Sequence, residues 1–155
     1  MREARELVHG TCVALGRRGA LLRGGPGSGK SDLALRFTAL PGEGEFQPLL
    51  VADDQVWVEA GGSGALLASP PETIAGKIEV RGLGIVDVPF LAQAQLVLVC
   101  DLVGGKDAPR MPPEPWERTV IAGVPVPALK LAPFETSAPL KLKMALFLAA
   151  PNNPN

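Results

Sequence analysis

The segment Gly24-Gly25-Pro26-Gly27-Ser28-Gly29-Lys30-Ser31 fits the spacing G-x-x-x-x-G-K-[ST], which suits the binding of phosphate. Glycines let successive backbone N–H groups turn inward on an anion. A helix that begins where the loop ends adds the positive end of its dipole. Lys30 can reach the β- and γ-phosphates of a nucleotide, and Ser31 can offer its hydroxyl to Mg²⁺. Further on, Asp53-Asp54 closes the apolar run Leu49-Leu50-Val51-Ala52. Enzymes with such a loop use an acidic residue at the end of a neighbouring strand to hold Mg²⁺, directly or through water. A second carboxylate beside it can accept the proton of an attacking hydroxyl. A solvated Asp-Asp turn would leave the same two letters, and it is the loop upstream that favours the functional reading. In Ile78-Glu79-Val80-Arg81, alternation predicts Glu79 and Arg81 on one face of a strand, with Gly82 and Gly84 interrupting the run that continues to Val88. A carboxylate beside a guanidinium can hold a metal and a phosphate; an exposed strand face with a bulge has the same pattern. The single histidine, His9, precedes Gly10, and taken alone it reads as structural. Lys106, Asp107 and Arg110 fall in a loop from which cations could approach a phosphate, or which is simply solvated.

These residues need elements to carry them. Ala20-Leu21-Leu22 reads as a short buried strand before the loop, and Ser31–Leu40 as a helix after it, with Leu33, Ala34, Phe37 and Leu40 at helical spacing. Val8–Leu15 reads as one strand, turning at Gly16–Gly19 into the next. Pro41–Gly44 ends the first helix, and the apolar strand 49–52 delivers the two aspartates. Val56–Val58 and Ala65–Ala68 flank Gly61–Gly64 as a hairpin. Gln95–Leu102 contains another apolar strand, followed by a turn at Gly104–Asp107 and an irregular proline-rich stretch from Ala108 to Trp116. Thr119–Leu131 reads as one or two strands broken by Pro125 and Pro127. The last helix is expected over Ser137–Ala149, with Leu140, Met144, Phe147 and Leu148 on its apolar side. With 18 glycines and 16 prolines, the chain favours many short strands over long helices. The expected fold is α/β, with a mixed sheet that is parallel around the phosphate loop and built of hairpins elsewhere.

Composition narrows the classes further. At 155 residues, 46% hydrophobic and 20% charged, the chain suits one globular domain over residues 1–155. A net charge of −1 offers no basic footprint for nucleic acid or an acidic membrane surface. No apolar span is long enough to cross a bilayer, and a soluble, cytoplasmic protein is expected. Cys12 and Cys100 lie in apolar runs and are expected as buried free thiols.

Taken together, Val8-His9-Gly10, the loop Gly24–Ser31, Leu50-Val51-Ala52-Asp53-Asp54 and Glu79-Val80-Arg81-Gly82-Leu83-Gly84-Ile85 resemble the catalytic domain of the HPr kinase/phosphorylase family. Ile121-Ala122-Gly123-Val124-Pro125-Val126-Pro127 looks like a further family stretch, and the match runs over about residues 7–149. The resemblance implies a P-loop fold of the phosphoenolpyruvate carboxykinase type and ATP-dependent phosphorylation of a serine of the phosphocarrier protein HPr. It implies ATP and Mg²⁺ at Gly24, Gly25, Pro26, Gly27, Ser28, Gly29, Lys30 and Ser31, with Asp53 and Glu79 beside Ser31 as metal-holding residues. It implies His9 near the phosphates, Asp54 as the proton acceptor, and Arg110 as an active-site arginine of a mobile loop. The family commonly forms hexamers, so a homo-oligomer is expected. No counterpart of the family's separate N-terminal domain is expected, and Leu131–Pro139 carries no arginine where many members are Arg-rich. That departure favours the kinase direction over the reverse, phosphorylase direction. Two readings outside the family stay open: a P-loop kinase or ATPase with another substrate, and a nucleotide-sensing regulator whose output is partner binding.

Overall fold

The computed structural model describes residues 5–149. Among them, eleven strands and two α-helices follow one another as β1 (Arg5–His9), β2 (Thr11–Leu15), β3 (Arg18–Arg23), α1 (Lys30–Thr38), β4 (Pro48–Ala52), β5 (Gln55–Ala60), β6 (Leu66–Ser69), β7 (Lys77–Val80), β8 (Gly84–Asp87), β9 (Ala94–Leu102), β10 (Glu117–Ile121), β11 (Val124–Leu131) and α2 (Ala138–Leu148). Nine strands form one sheet in the order β1-β5-β6-β9-β3-β2-β4, with β11 also on β9 and β10 on β11; β7 and β8 form a separate hairpin. Only β3–β9 and β9–β11 run parallel, and the other pairs are antiparallel. The sheet is mixed with its parallel part at the phosphate loop, as expected.

The central strands are apolar through their buried middles, Cys12–Leu15, Ala20–Leu22 and Leu96–Cys100, because both faces of the sheet are covered. Val13, Ala20, Leu22 and Leu98 pack with Leu33, Phe37, Leu142 and Leu146 of the two helices. Their neighbours Cys12, Ala14, Leu21 and Val99 pack instead with Val56 and Val58 of β5, Leu66 of β6 and Val126 of β11. Both cysteines are free and buried, and burial pushes each thiol up to about 12, so both stay protonated at neutral pH.

One link in the chain decides the shape. A single residue, Gly10, separates β1 from β2, yet these strands stand at different ends of the order. The sheet must therefore curl until its ends meet. The expected single strand Val8–Leu15 is accordingly two strands, because the chain leaves its pairing with β5 at His9 and takes up pairing with β3 and β4 at Thr11. Glycine is required at the switch: φ is +155°, and a Cβ there would lie 2.8 Å from the carbonyl oxygen of Leu22.

Three other expectations need correction. The stretch 78–88 is a hairpin rather than an interrupted strand, and Arg81 lies in its turn, so Glu79 and Arg81 do not share a strand face. Pro125 and Pro127 do not break a strand. The break falls at Ala122-Gly123, and both prolines sit in β11 before its pairing with β9 begins at Ala128, where no donor is demanded of them from that side. In α2, the buried residues are Ala138, Pro139, Leu142, Ala145 and Leu146, while Leu140, Met144, Phe147 and Leu148 are exposed. The helix is apolar nearly all round, and the small side chains of Ala138 and Ala145 mark the face that can approach α1 and the sheet closely. The hairpin over β5 and β6 and the irregular stretch 108–116 are as expected.

Candidate active site

The strand directions bring the sequence motifs to one end of the sheet. β2 runs against β3 with Thr11 opposite Leu22, so the start of β2 lies beside the end of β3, where the loop Gly24–Gly29 begins. β4 runs against β2 with Ala52 opposite Cys12, so Asp53-Asp54 emerges at the same place. The two short links of the curled sheet, Gly10 and Asp53-Asp54, therefore touch, and Gly10 N donates to the carbonyl of Asp54 at 2.9 Å.

Within the loop, Gly27 and Gly29 have φ of +77° and +99°. Gly29 is the N-cap of α1, so Lys30 opens the helix one residue earlier than expected. Lys30 Nζ donates to the carbonyls of Gly24 (2.7 Å) and Gly25 (3.3 Å), which keeps the ammonium over the loop. Gly24 has no room for a side chain, since a Cβ would run into the Ser28 side chain, 2.7 Å from its Cβ.

The two aspartates are separated by the backbone. Asp53 is buried, and its carboxylate accepts three hydrogen bonds: from Ser31 Oγ (2.6 Å) and Thr11 Oγ1 (3.0 Å) on Oδ1, and from Glu79 N (3.0 Å) on Oδ2. Asp54 takes φ of +68°, a left-handed conformation that aspartate tolerates better than most residues. It is pinned at both ends: its N–H donates to Thr11 Oγ1 (3.1 Å), and its carbonyl accepts from Gly10 N and from His9 Nδ1 (3.2 Å). The left-handed turn sends the Asp54 side chain out while Asp53 stays in, so Asp54 remains 65% exposed. His9 Nδ1 stands 4.0 Å from Asp54 Oδ1. Because a carbonyl can only accept, Nδ1 carries the hydrogen, leaving Nε2 for another partner.

Lys30, Ser31, Asp53, Asp54 and His9 are thus gathered at one place, and the β7–β8 hairpin reaches it through the backbone of Glu79. No hydrogen bond or ion pair among the described residues ties Arg110, in the exposed loop after β9, to this group. Nor do the described residues contain three His, Cys, Asp or Glu side chains in metal-holding geometry. The oxygen set at the loop is one hydroxyl and one carboxylate, Ser31 and Asp53.

Thr11 is the residue that the sequence pattern does not flag. It is fully buried, gives its proton to Asp53 and takes one from the backbone of Asp54. In the run Thr11-Cys12-Val13 it reads as an ordinary strand residue, and only its place opposite the end of β4 shows what it holds. Thr11→Val keeps the shape and removes the hydroxyl, leaving the part-buried N–H of Asp54 without this partner and the buried Asp53 carboxylate with one donor fewer. The expected cost is about 1–3 kcal/mol of stability, read as a fall of several degrees in Tm, and Thr11→Ser should restore most of it. A Thr11→Val protein that melts with the wild type would show that the hydroxyl carries no such weight.

Comparison with known proteins bears on the same residues. Residues 3–101 match the family model of the HPr Serine kinase C-terminal domain. The HPr kinase/phosphorylase of Streptococcus thermophilus is 39% identical over 93 residues, covering 60% of this chain and 28% of that protein. That of Azoarcus sp. is 34% identical over 134 residues, covering 80% of this chain and 41% of that protein. The chain therefore spans well under half the length of these relatives. The structure of the HPr(Ser) kinase/phosphatase from Coxiella burnetii superposes with a TM-score of 0.76 at 23% identity, covering 92% of this chain and 89% of that one. That likeness bears out the mixed α/β fold. No helix among the described residues is long and apolar enough to cross a membrane. With the family model spanning more than half of its residues and taking in the loop, both aspartates, His9 and Glu79, this chain belongs to the HPr serine kinase C-terminal domain family.

Proposed function

We propose that this chain is a protein-serine kinase that transfers the γ-phosphoryl group of ATP to a serine of the phosphocarrier protein HPr. The observation that carries the proposal is the division of labour between Asp53 and Asp54. One carboxylate is buried and locked to Ser31, while its neighbour is turned outward beside His9 by a left-handed backbone pinned at both ends. A phosphoryl-transfer site needs these two functions in separate groups. The family membership and the names of the relatives point to the same acceptor.

The chemistry follows from the placement. The loop N–H groups and Lys30 hold the β- and γ-phosphates and offset the charge that moves between them during transfer. Ser31 and Asp53 supply hard oxygen donors side by side, which suits Mg²⁺. Glu79 is the third residue we assign to the ion. Bound Mg²⁺ would neutralise phosphate charge. The acceptor serine Oγ attacks the γ-phosphorus, the bond from that phosphorus to the bridging oxygen breaks, and ADP leaves. The serine proton passes to the Asp54 carboxylate, which its exposure leaves open to an incoming protein. We assign His9 the positioning of the γ-phosphate through Nε2.

The direct test is mass spectrometry of HPr after incubation with this protein, ATP and Mg²⁺. The expected result is one added phosphate, on a serine. Unmodified HPr under conditions where ATP demonstrably binds would overturn the assignment.

A further inference from the structure

Beyond the phosphate loop the surface opens into a cavity of about 350 Å³. Ser28 belongs both to the loop and to the cavity wall. The other walls are the segment Leu102–Gly105 that follows β9 and the segment Ala132–Glu135 between β11 and α2. None of these residues is a cation, and the one charged side chain, Glu135, is occupied by an ion pair with Lys141 at 2.6 Å. No cationic side chain lines it to hold a phosphoryl group. The cavity suits an apolar, planar group, and its volume falls in the lower part of the ~300–1,000 Å³ range of small-molecule sites.

Phe134 is the residue that gives the cavity a direction. It is 69% exposed, yet its ring lies against the loop: a Cβ on Gly29 would stand 2.9 Å from Phe134 Cζ. Its backbone is fixed on both sides. The Arg36 guanidinium donates to the carbonyls of Pro133 and Glu135, and it is itself held by Asp32 one turn earlier on α1. An exposed aromatic ring on a braced segment is a stacking surface prepared before its ligand arrives, and preorganisation of that kind lowers the cost of binding.

We propose that this cavity takes the base and ribose of a nucleoside triphosphate, with Phe134 stacking on the base while the loop holds the phosphates. The inference rests on reading Gly24–Ser31 as a phosphate loop. A triphosphate gripped by the loop leaves its base within one nucleoside's reach, and this cavity shares Ser28 with the loop and is roofed by a ring seated on the loop's last glycine. Being exposed, Phe134 can be replaced without disturbing the core.

The test compares two probes by titration calorimetry in the presence of Mg²⁺: ATP, which has a base, and inorganic tripolyphosphate, which has none. Phe134→Ala should weaken ATP about tenfold, as loss of an aromatic stacking partner does, and leave tripolyphosphate within about twofold. Phe134→Trp should keep ATP affinity, and its added fluorescence should respond to ATP and not to tripolyphosphate. Equal loss for both probes would make the ring a support of the loop and overturn the proposal, as would no loss for either. If the wild-type protein binds ATP but Phe134→Ala binds it as well, only the base site falls. If the wild type binds neither probe, the phosphate-loop reading itself falls, and the base site with it.

Discussion

Replacing Lys30 with alanine should lower phosphoryl transfer to a protein serine by about a thousandfold, the scale on which preorganised donors act on developing charge. Lys30 now donates to two carbonyls of its own loop, at 2.7 and 3.3 Å from Gly24 and Gly25. Its ammonium is therefore held over the loop, where the proposed function sets the β- and γ-phosphates. Alanine removes that charge and leaves the loop N–H groups in place, so ATP should still bind, about tenfold more weakly by a typical charge-assisted hydrogen bond. Arginine should rescue poorly, because a planar fork does not replace a compact ammonium in a closed nest. Single-turnover kinetics with saturating ATP separates the two effects. Transfer within about threefold of wild type would remove Lys30 from the catalytic group, since a donor to a transferring phosphoryl is worth far more than that.

Asp54→Asn should lower the transfer rate by about 10²–10⁴-fold, the usual contribution of a positioned base, with ATP affinity nearly unchanged. Asparagine is the informative replacement. The φ of +68° at this position is one that asparagine also tolerates, so the backbone hydrogen bonds to Thr11, Gly10 and His9 should persist. What is lost is the capacity to take a proton. Alanine would mix that loss with backbone strain. Asp53→Asn should behave differently, because Asp53 accepts three hydrogen bonds in a buried position. An amide nitrogen turned toward any of those donors leaves it unpaired, so stability and Mg²⁺-dependent nucleotide binding should both fall. Normal serine phosphorylation by Asp54→Asn would remove the proton-accepting role from this residue. Indistinguishable effects of the two substitutions would argue against the division between them.

Much of this site is legible in the chain itself. The loop Gly24–Ser31 is local: its shape follows from glycines at fixed spacing and from the helix that starts at its end, and every part lies within a few residues of the others. Asp53-Asp54 is legible for the same reason, as the polar end of a buried apolar strand. What escapes the sequence is non-local. Period-2 alternation places Glu79 and Arg81 alike, but whether a strand continues or turns back at Gly82 depends on where its partner lies, and the partner is β8. In α2, apolar residues on every side of the helix leave the periodicity without a preferred face, and packing against α1 and the sheet chose the side with the small residues.

By its residue types and their spacing alone, this sequence determines that a glycine-rich loop with the G-x-x-x-x-G-K-[ST] spacing lies between a buried strand and a helix, and that a pair of carboxylates ends another strand. Only the curled sheet decides that these motifs meet. The closure sets Gly10 against Asp54, brings Thr11 under both aspartates and turns one of them inward and the other out. The physical reason is reach. Hydrogen bonds and steric limits on the backbone act over a few residues, so local spacing can specify a loop. Which strand ends lie side by side is fixed by burying both faces of one sheet at once, and that is a property of the whole chain.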